Sequence, residues 1–200
     1  MKKILHIISS PRGGASLSIK LGNAIIDKIK AAYPGSTVKE VDLVKQQFPH
    51  LEEAHLNSFF TPPDSRTPEH LAAVKHSDQA IQDIQDADII VIGTPVYNFN
   101  IHSSLKAWID HIVRKGITFN YDETGPHGLI EDKKVYLASS AGGVYSEGPM
   151  KDMDFGDTYL KFMLGFLGLR DVTTFRIEGT NIPGIQDTAV EKGIASIAIA

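Results

Sequence analysis

The sequence predicts a doubly wound α/β fold, a five-stranded parallel sheet with helices on both faces, in a single domain over residues 1–200. Three observations carry this. Short, uninterrupted apolar runs such as ILHII (4–8) and DIIVIG (88–93) read as central strands buried on both faces, because a sheet with one wet face would alternate apolar and polar residues. Between such runs lie stretches whose apolar residues recur every third or fourth position, the mark of an amphipathic helix. The two kinds of segment alternate strictly, which calls for parallel strands joined by right-handed helical crossovers.

The first strand runs from Lys3 to Ile8, and the glycine- and serine-rich turn SSPRGGAS follows it. Leu17, Leu21, Ile25 and Ile29, with Ile26 alongside, then form one helical face that Pro34 and Gly35 bring to an end. Thr37 to Leu43 is the second strand. Residues 44–66, with Phe59, Phe60, Pro62 and Pro63, read as a long irregular connection of the kind that carries function. Thr67 caps the next helix and Pro68 fits its first turn, with Leu71, Val74, Ile81 and Ile84 as the expected buried stripe. DIIVIG is the third strand. The helix after it, over about 103–113, presents Leu105, Trp108, Ile109 and Ile112. Residues 115–133 are rich in turn formers. KVYLAS (134–139) is the fourth strand, and VYSEGPMKDMDFGD (144–157) leads to a helix over about 159–167. Val172 to Ile177 is the fifth strand, and the residues after Ile185 form a last helix.

Composition excludes several classes of function. Twenty basic against 24 acidic residues leave a net charge of −4 with no basic block, so neither nucleic acid nor a polyanion is an expected partner. The absence of cysteine removes disulfides, thiolate metal sites, iron–sulfur clusters and cysteine nucleophiles. No stretch approaches the roughly 20 apolar residues of a membrane span, and the apolar run that ends at Ile8 is too short for a signal core, so a cytoplasmic protein is expected. The eight histidines show no metal-binding spacing, and neither Ser16 nor Ser140 sits in a nucleophile elbow. His111, beside Ile109 and Ile112, reads as a packing or interface residue.

Five such strands suit the flavodoxin-like order 2-1-3-4-5, in which a ligand binds outside the strand C-termini where the order reverses. The loops after strands one, three and four meet there. In SSPRGGASLS (9–18), Ser10, Ser16 and Ser18 bring hydroxyls, Gly13 and Gly14 allow close backbone approach, and a helix N-terminus follows directly. That combination suits a terminal monophosphate, and the spacing matches neither a P-loop nor a dinucleotide fingerprint. PVYNFN (95–100) places aromatic residues on either side of an amide, as a flat ring system needs. In SAGG (140–143), Gly142 and Gly143 leave room where a planar ligand would approach the backbone.

With SSPRGGASLS, PVYNFN, TFNYDETGPHGL (118–129), SAGG and FMLGFLGL (162–169) taken together, the chain resembles the FMN-dependent NADH azoreductase family, flavodoxin-like NAD(P)H:quinone oxidoreductases. The resemblance runs over nearly the whole chain, and PVYNF with its GPHGL companion is its most specific part. It implies one FMN per subunit of a homodimer, with NADH as electron donor and quinones or azo compounds as acceptors. It implies that Ser10, Ser16, Leu17 and Ser18 hold the FMN phosphate, and that Val96, Tyr97, Asn98 and Phe99 line the isoalloxazine. Ser140, Ala141, Gly142 and Gly143 then meet the pyrimidine edge. Tyr121, Tyr145 and Met163 are the pocket candidates, Tyr121 as a lid and Tyr145 as a wall or proton donor. Many relatives carry Met in place of Val96 and Arg in place of Ala141, and some carry Phe in place of Met163, so these positions bear on substrate range. No catalytic acid stands out, as expected where the flavin performs the chemistry. A flavodoxin-type electron carrier and a non-catalytic nucleotide-sensing module are the competing readings on the same fold.

Overall fold

A computed structural model describes residues 1–46 and 48–199. Seven strands, β1 (Lys3–Ile8), β2 (Thr37–Asp42), β3 (Ile89–Pro95), β4 (Phe119–Asp122), β5 (Gly125–Gly128), β6 (Lys134–Ser140) and β7 (Asp171–Ile177), are interleaved with helices. The helices are α1 (Leu17–Ala32), α2 (Leu43–Gln46), α3 (Glu53–Phe60), α4 (Pro68–Asp86), α5 (Ser103–Ile112), α6 (Phe155–Phe166) and α7 (Gln186–Ala195). Five strands form one sheet in the order β2-β1-β3-β6-β7, every neighbour parallel. Without the separate β4–β5 ribbon, this is the order 2-1-3-4-5.

Alternation along each strand divides the core in two. Leu5, Ile7, Ile90, Ile92 and Leu137 face a layer closed by α4, α5 and α6, with the buried Trp108 among them. Ile4, Ile89, Val91, Tyr136 and Phe175 face α1 and α7. His6 falls on the second side, buried, with its Nε2 against Gly22 of α1.

The structure corrects the sequence reading in several places. Leu71 is 55% exposed rather than part of the buried stripe, and burial on α4 begins at Val74. With 19 residues against 7 in β3, α4 runs about 28 Å beside a strand of about 23 Å, so its first turn overhangs the sheet. The 44–66 connection is not irregular: it holds α3, where His55 Nδ1 accepts from the Glu52 N–H at 3.0 Å. Leu43 opens α2 instead of closing β2. Within 115–133, β4 and β5 form an antiparallel ribbon whose turn is fixed by Asp122 Oδ1, which accepts from the Thr124 N–H at 2.7 Å. The sixth helix starts at Phe155, four residues earlier than its apolar pattern suggests, because Asp154 caps it by accepting from the Asp157 N–H at 3.2 Å. His111 is fully buried and, as expected, packs: its ring meets His55 at 4.9 Å, and its Nε2 lies 3.1 Å from the Pro49 carbonyl.

Candidate functional site

The C-terminal ends of β1, β3 and β6 are stitched together before their loops begin. Ser9 Oγ donates to the Gly93 carbonyl at 2.7 Å, and the Val96 N–H donates to the Ser140 carbonyl at 2.8 Å. The three loops enclose a cleft of about 180 Å³.

The first loop supplies Ser10, Arg12, Ser16 and Leu17 to its lining. Ser16 caps α1, its Oγ accepting from the Ile19 N–H at 3.4 Å, and lies 3.0 Å from Ser18 Oγ. The Leu17 and Ser18 N–H groups have no carbonyl one turn back, so the helix meets the cleft with free donors and the positive end of its dipole. Ser18 is wholly buried behind Ser16 rather than in the lining. Arg12, passed over in the sequence reading, adds a cation. Its side chain is flexible and carries no motif, and only the fold brings it to the cleft.

The second loop contributes Pro95, Val96 and Tyr97. Tyr97 and Asn100 exchange two backbone hydrogen bonds, both 3.0 Å, across Asn98 at φ 49° and Phe99 at φ 65°. Two consecutive left-handed residues make this a type I′ turn, which glycine or asparagine adopts easily and phenylalanine at a cost of about 1–3 kcal/mol. Such strain clusters where a ligand is held. Phe99 stays 45% exposed, and Asn98 turns into a neighbouring groove.

The third loop brings Ser140, Ala141 and Gly142. A four-residue segment after β7, Glu178-Gly179-Thr180-Asn181, clamps it. The Gly179 N–H donates to the Gly143 carbonyl at 2.9 Å, the Asn181 N–H to the Gly142 carbonyl at 3.0 Å, and Thr180 Oγ1 to the Ala141 carbonyl at 3.1 Å. Thr180 and Asn181 also line the cleft. Both glycines also sit close to neighbouring side chains. A β-carbon on Gly142 would stand 2.5 Å from Asn181 Nδ2, and one on Gly143 would stand 3.2 Å from the Tyr145 ring.

Tyr97 also borders a larger groove of about 560 Å³, shared with His50, Asn98, His102, Lys106, Asp110 and Tyr159. Burial lowers the pKa of His102 below the usual histidine value, and burial followed by the nearby Asp110 charge pushes Tyr159 up to about 12. Both side chains are therefore neutral at pH 7. Tyr121 stands exposed on β4 against Phe119, and Met163 of α6 packs against the core; neither lines the cleft or the groove.

A family described as having the flavodoxin-like fold matches residues 2–198. An FMN-dependent NADH:quinone oxidoreductase of Herminiimonas arsenicoxydans is 50% identical over 90% of this chain and 88% of its own. Among solved structures, an azoreductase from Bacillus anthracis superposes with a TM-score of 0.90 at 35% identity, covering 98% of this chain and 96% of that one. This chain belongs to the FMN-dependent NADH azoreductase and quinone oxidoreductase family. A second Bacillus anthracis member, an FMN-dependent NADH-azoreductase described in complex with FMN, superposes with a TM-score of 0.85 at 27% identity over 98% of this chain and 97% of that one. The family's cofactor fits the donor set of the cleft. Serine hydroxyls, free helix N–H groups and a guanidinium suit a phosphate dianion, and Pro95, Val96 and Tyr97 offer a flat, largely apolar wall beside them.

Proposed function

We propose that this chain takes two electrons from NADH and passes them to quinones, giving hydroquinones, and to azo compounds, giving amines. The observation that carries the reading is the convergence of three loops on one cleft that begins at a capped helix N-terminus and ends at a strained aromatic turn. In this reading Ser10, Arg12, Ser16, Leu17 and Ser18 hold the FMN phosphate. Val96, Tyr97, Asn98 and Phe99 line the ring, and Ser140, Ala141, Gly142 and Gly143 meet its pyrimidine edge.

Bound FMN supplies the hydride chemistry, accepting from the nicotinamide and delivering to the acceptor. The protein's part is placement. The Tyr97–Asn100 turn fixes the aromatic wall, and Ser140, Ala141 and Gly142 would meet the edge that becomes electron-rich on reduction. His102, neutral, and Tyr159, with its pKa raised to about 12, are poorly matched to proton delivery at neutral pH. Donor and acceptor taking turns in the groove beside Tyr97 would give ping-pong kinetics.

The groove beside Tyr97 favours an enzyme over a flavodoxin-type carrier, which has no use for a second binding volume of about 560 Å³. A homodimer goes with this reading, supported by Phe155, Phe162 and Tyr121, large side chains left exposed at the surface. So does a single domain in the cytoplasm, where NADH is available. No helix among the described residues is long and apolar enough to cross a membrane. The test is to load purified protein with FMN and follow NADH oxidation with benzoquinone and with methyl red. Turnover with either supports the proposal. Rapid flavin reduction by NADH with no turnover of either acceptor overturns it.

A further inference from the structure

The third loop is held at its far end by a carboxylate. Glu178, the first residue after β7, accepts from the Tyr145 N–H at 2.8 Å and the Ser146 N–H at 3.2 Å through Oε2, and from the Ser146 hydroxyl through Oε1. Charge-assisted bonds of this kind are shorter and stronger than neutral ones, and three on one carboxylate fix a loop in one arrangement. Tyr145 is the residue so fixed. Its ring packs over Gly143, 3.2 Å from where a β-carbon would stand, and meets Phe99 edge-on with centroids 6.3 Å apart. A continuous chain of contacts thus runs from Glu178 through Tyr145 to the left-handed residue Phe99 of the second loop.

We infer that Glu178 is a positioning residue for the cofactor cleft: by anchoring residues 145 and 146 it seats Tyr145 between the second and third loops, and FMN affinity depends on it through Tyr145. Neither Glu178 nor Tyr145 lines the cleft or the groove, and Tyr145 acts on the loops through Gly143 and Phe99. The inference rests on the reading that FMN occupies the cleft. It explains why the small segment after β7 begins with an acid. An amide in its place has one acceptor oxygen where the carboxylate has two, and the three bonds use both.

FMN dissociation constants, read by titrating apoprotein against flavin fluorescence, test this in E178A, E178Q, E178D, Y145A and the E178A/Y145A double variant, with thermal melting to verify folding. E178A and Y145A should each weaken FMN binding about tenfold, and the double variant by no more than about tenfold, because both release the same contact on Gly143 and Phe99. E178Q keeps one acceptor for the Tyr145 N–H and should stay within about threefold of the parent. E178D withdraws the carboxylate by one methylene and carries the same test if E178A does not fold. Parental affinity in E178A or E178D, additive losses of about a hundredfold in the double variant, or a loss in E178Q equal to that in E178A would each overturn the inference. S16D separates the two levels. Unchanged affinity there sinks the cleft assignment itself, whereas a large loss in S16D with none in E178A and E178D sinks only the role of Glu178.

Discussion

Asn181 Nδ2 lies 2.5 Å from the point at which a β-carbon on Gly142 would stand, and the Asn181 backbone N–H donates to the Gly142 carbonyl at 3.0 Å. The two residues are locked face to face at the cleft. Gly142→Ala must push the Asn181 side chain aside, and since Asn181 lines the cleft, the disturbance falls on the ligand. FMN affinity should drop about tenfold, measured by fluorescence titration, with part of the loss regained in Gly142→Ala/Asn181→Ala.

Ser16→Asp isolates the phosphate claim from folding. Aspartate caps a helix as well as serine does and complements the dipole, so thermal stability of the apoprotein should hold or rise slightly. A second negative charge beside the phosphate, with a hydroxyl donor gone, should weaken FMN binding on the order of a hundredfold. Ser10→Asp combined with it should leave purified protein colourless.

His6 makes stability depend on pH. Its Nε2 has no partner, and burial lowers its pKa from 6.5 to about 4. The unfolded chain therefore binds the proton first. This contribution is fully present above pH 6.5 and is lost as pH falls toward 4, at up to ~1.4 kcal/mol per pH unit and roughly 3 kcal/mol in all. Glu40 Oε2 is 3.8 Å from Nδ1 but largely exposed, and offsets little. Urea unfolding at pH 7, 6 and 5 should show this slope, and His6→Leu should flatten most of it. A residue remains from His111, whose pKa burial shifts in the same direction.

Arg114 holds the α3 connection to the body of the protein. Its buried guanidinium donates to Ser77 Oγ at 2.9 Å and to Asp78 Oδ1 at 2.8 Å, and lies 4.4 Å from the centre of the Phe59 ring. Asp78 is half exposed and stays solvated without its partner, so the loss in Arg114→Met falls on Ser77 and on packing against Phe59. Urea unfolding should show a loss of about 3 kcal/mol, and proteolysis should begin within 44–66, while FMN affinity stays within about twofold.

The sheet was legible because its central strands are buried on both faces and so stand out as unbroken apolar runs, Ile4 to Ile8 and Ile89 to Ile92 above all. The cap at Ser16 and the turn at PVYNFN were legible for a different reason: each is a local arrangement of backbone and neighbouring side chain. Three things were hidden. The short helix Glu53–Phe60 has a histidine, His55, in its capping contact instead of a serine or threonine. The β5 strand Gly125–Gly128 reads GPHG, a composition that local propensity assigns to turns. The clamp EGTN looks like an ordinary polar turn after a strand. Its partners lie more than thirty residues away, at Ala141 to Ser146, and only the strand order brings them together.

The left-handed turn at Asn98 and Phe99 is complete in the protein alone: its backbone groups pair with each other, as those of the third loop pair with the segment after β7. Both loops are thus shaped by main-chain pairing, which a change of side chain leaves in place. A substitution at Phe99 should therefore alter what the loop presents without unmaking the loop.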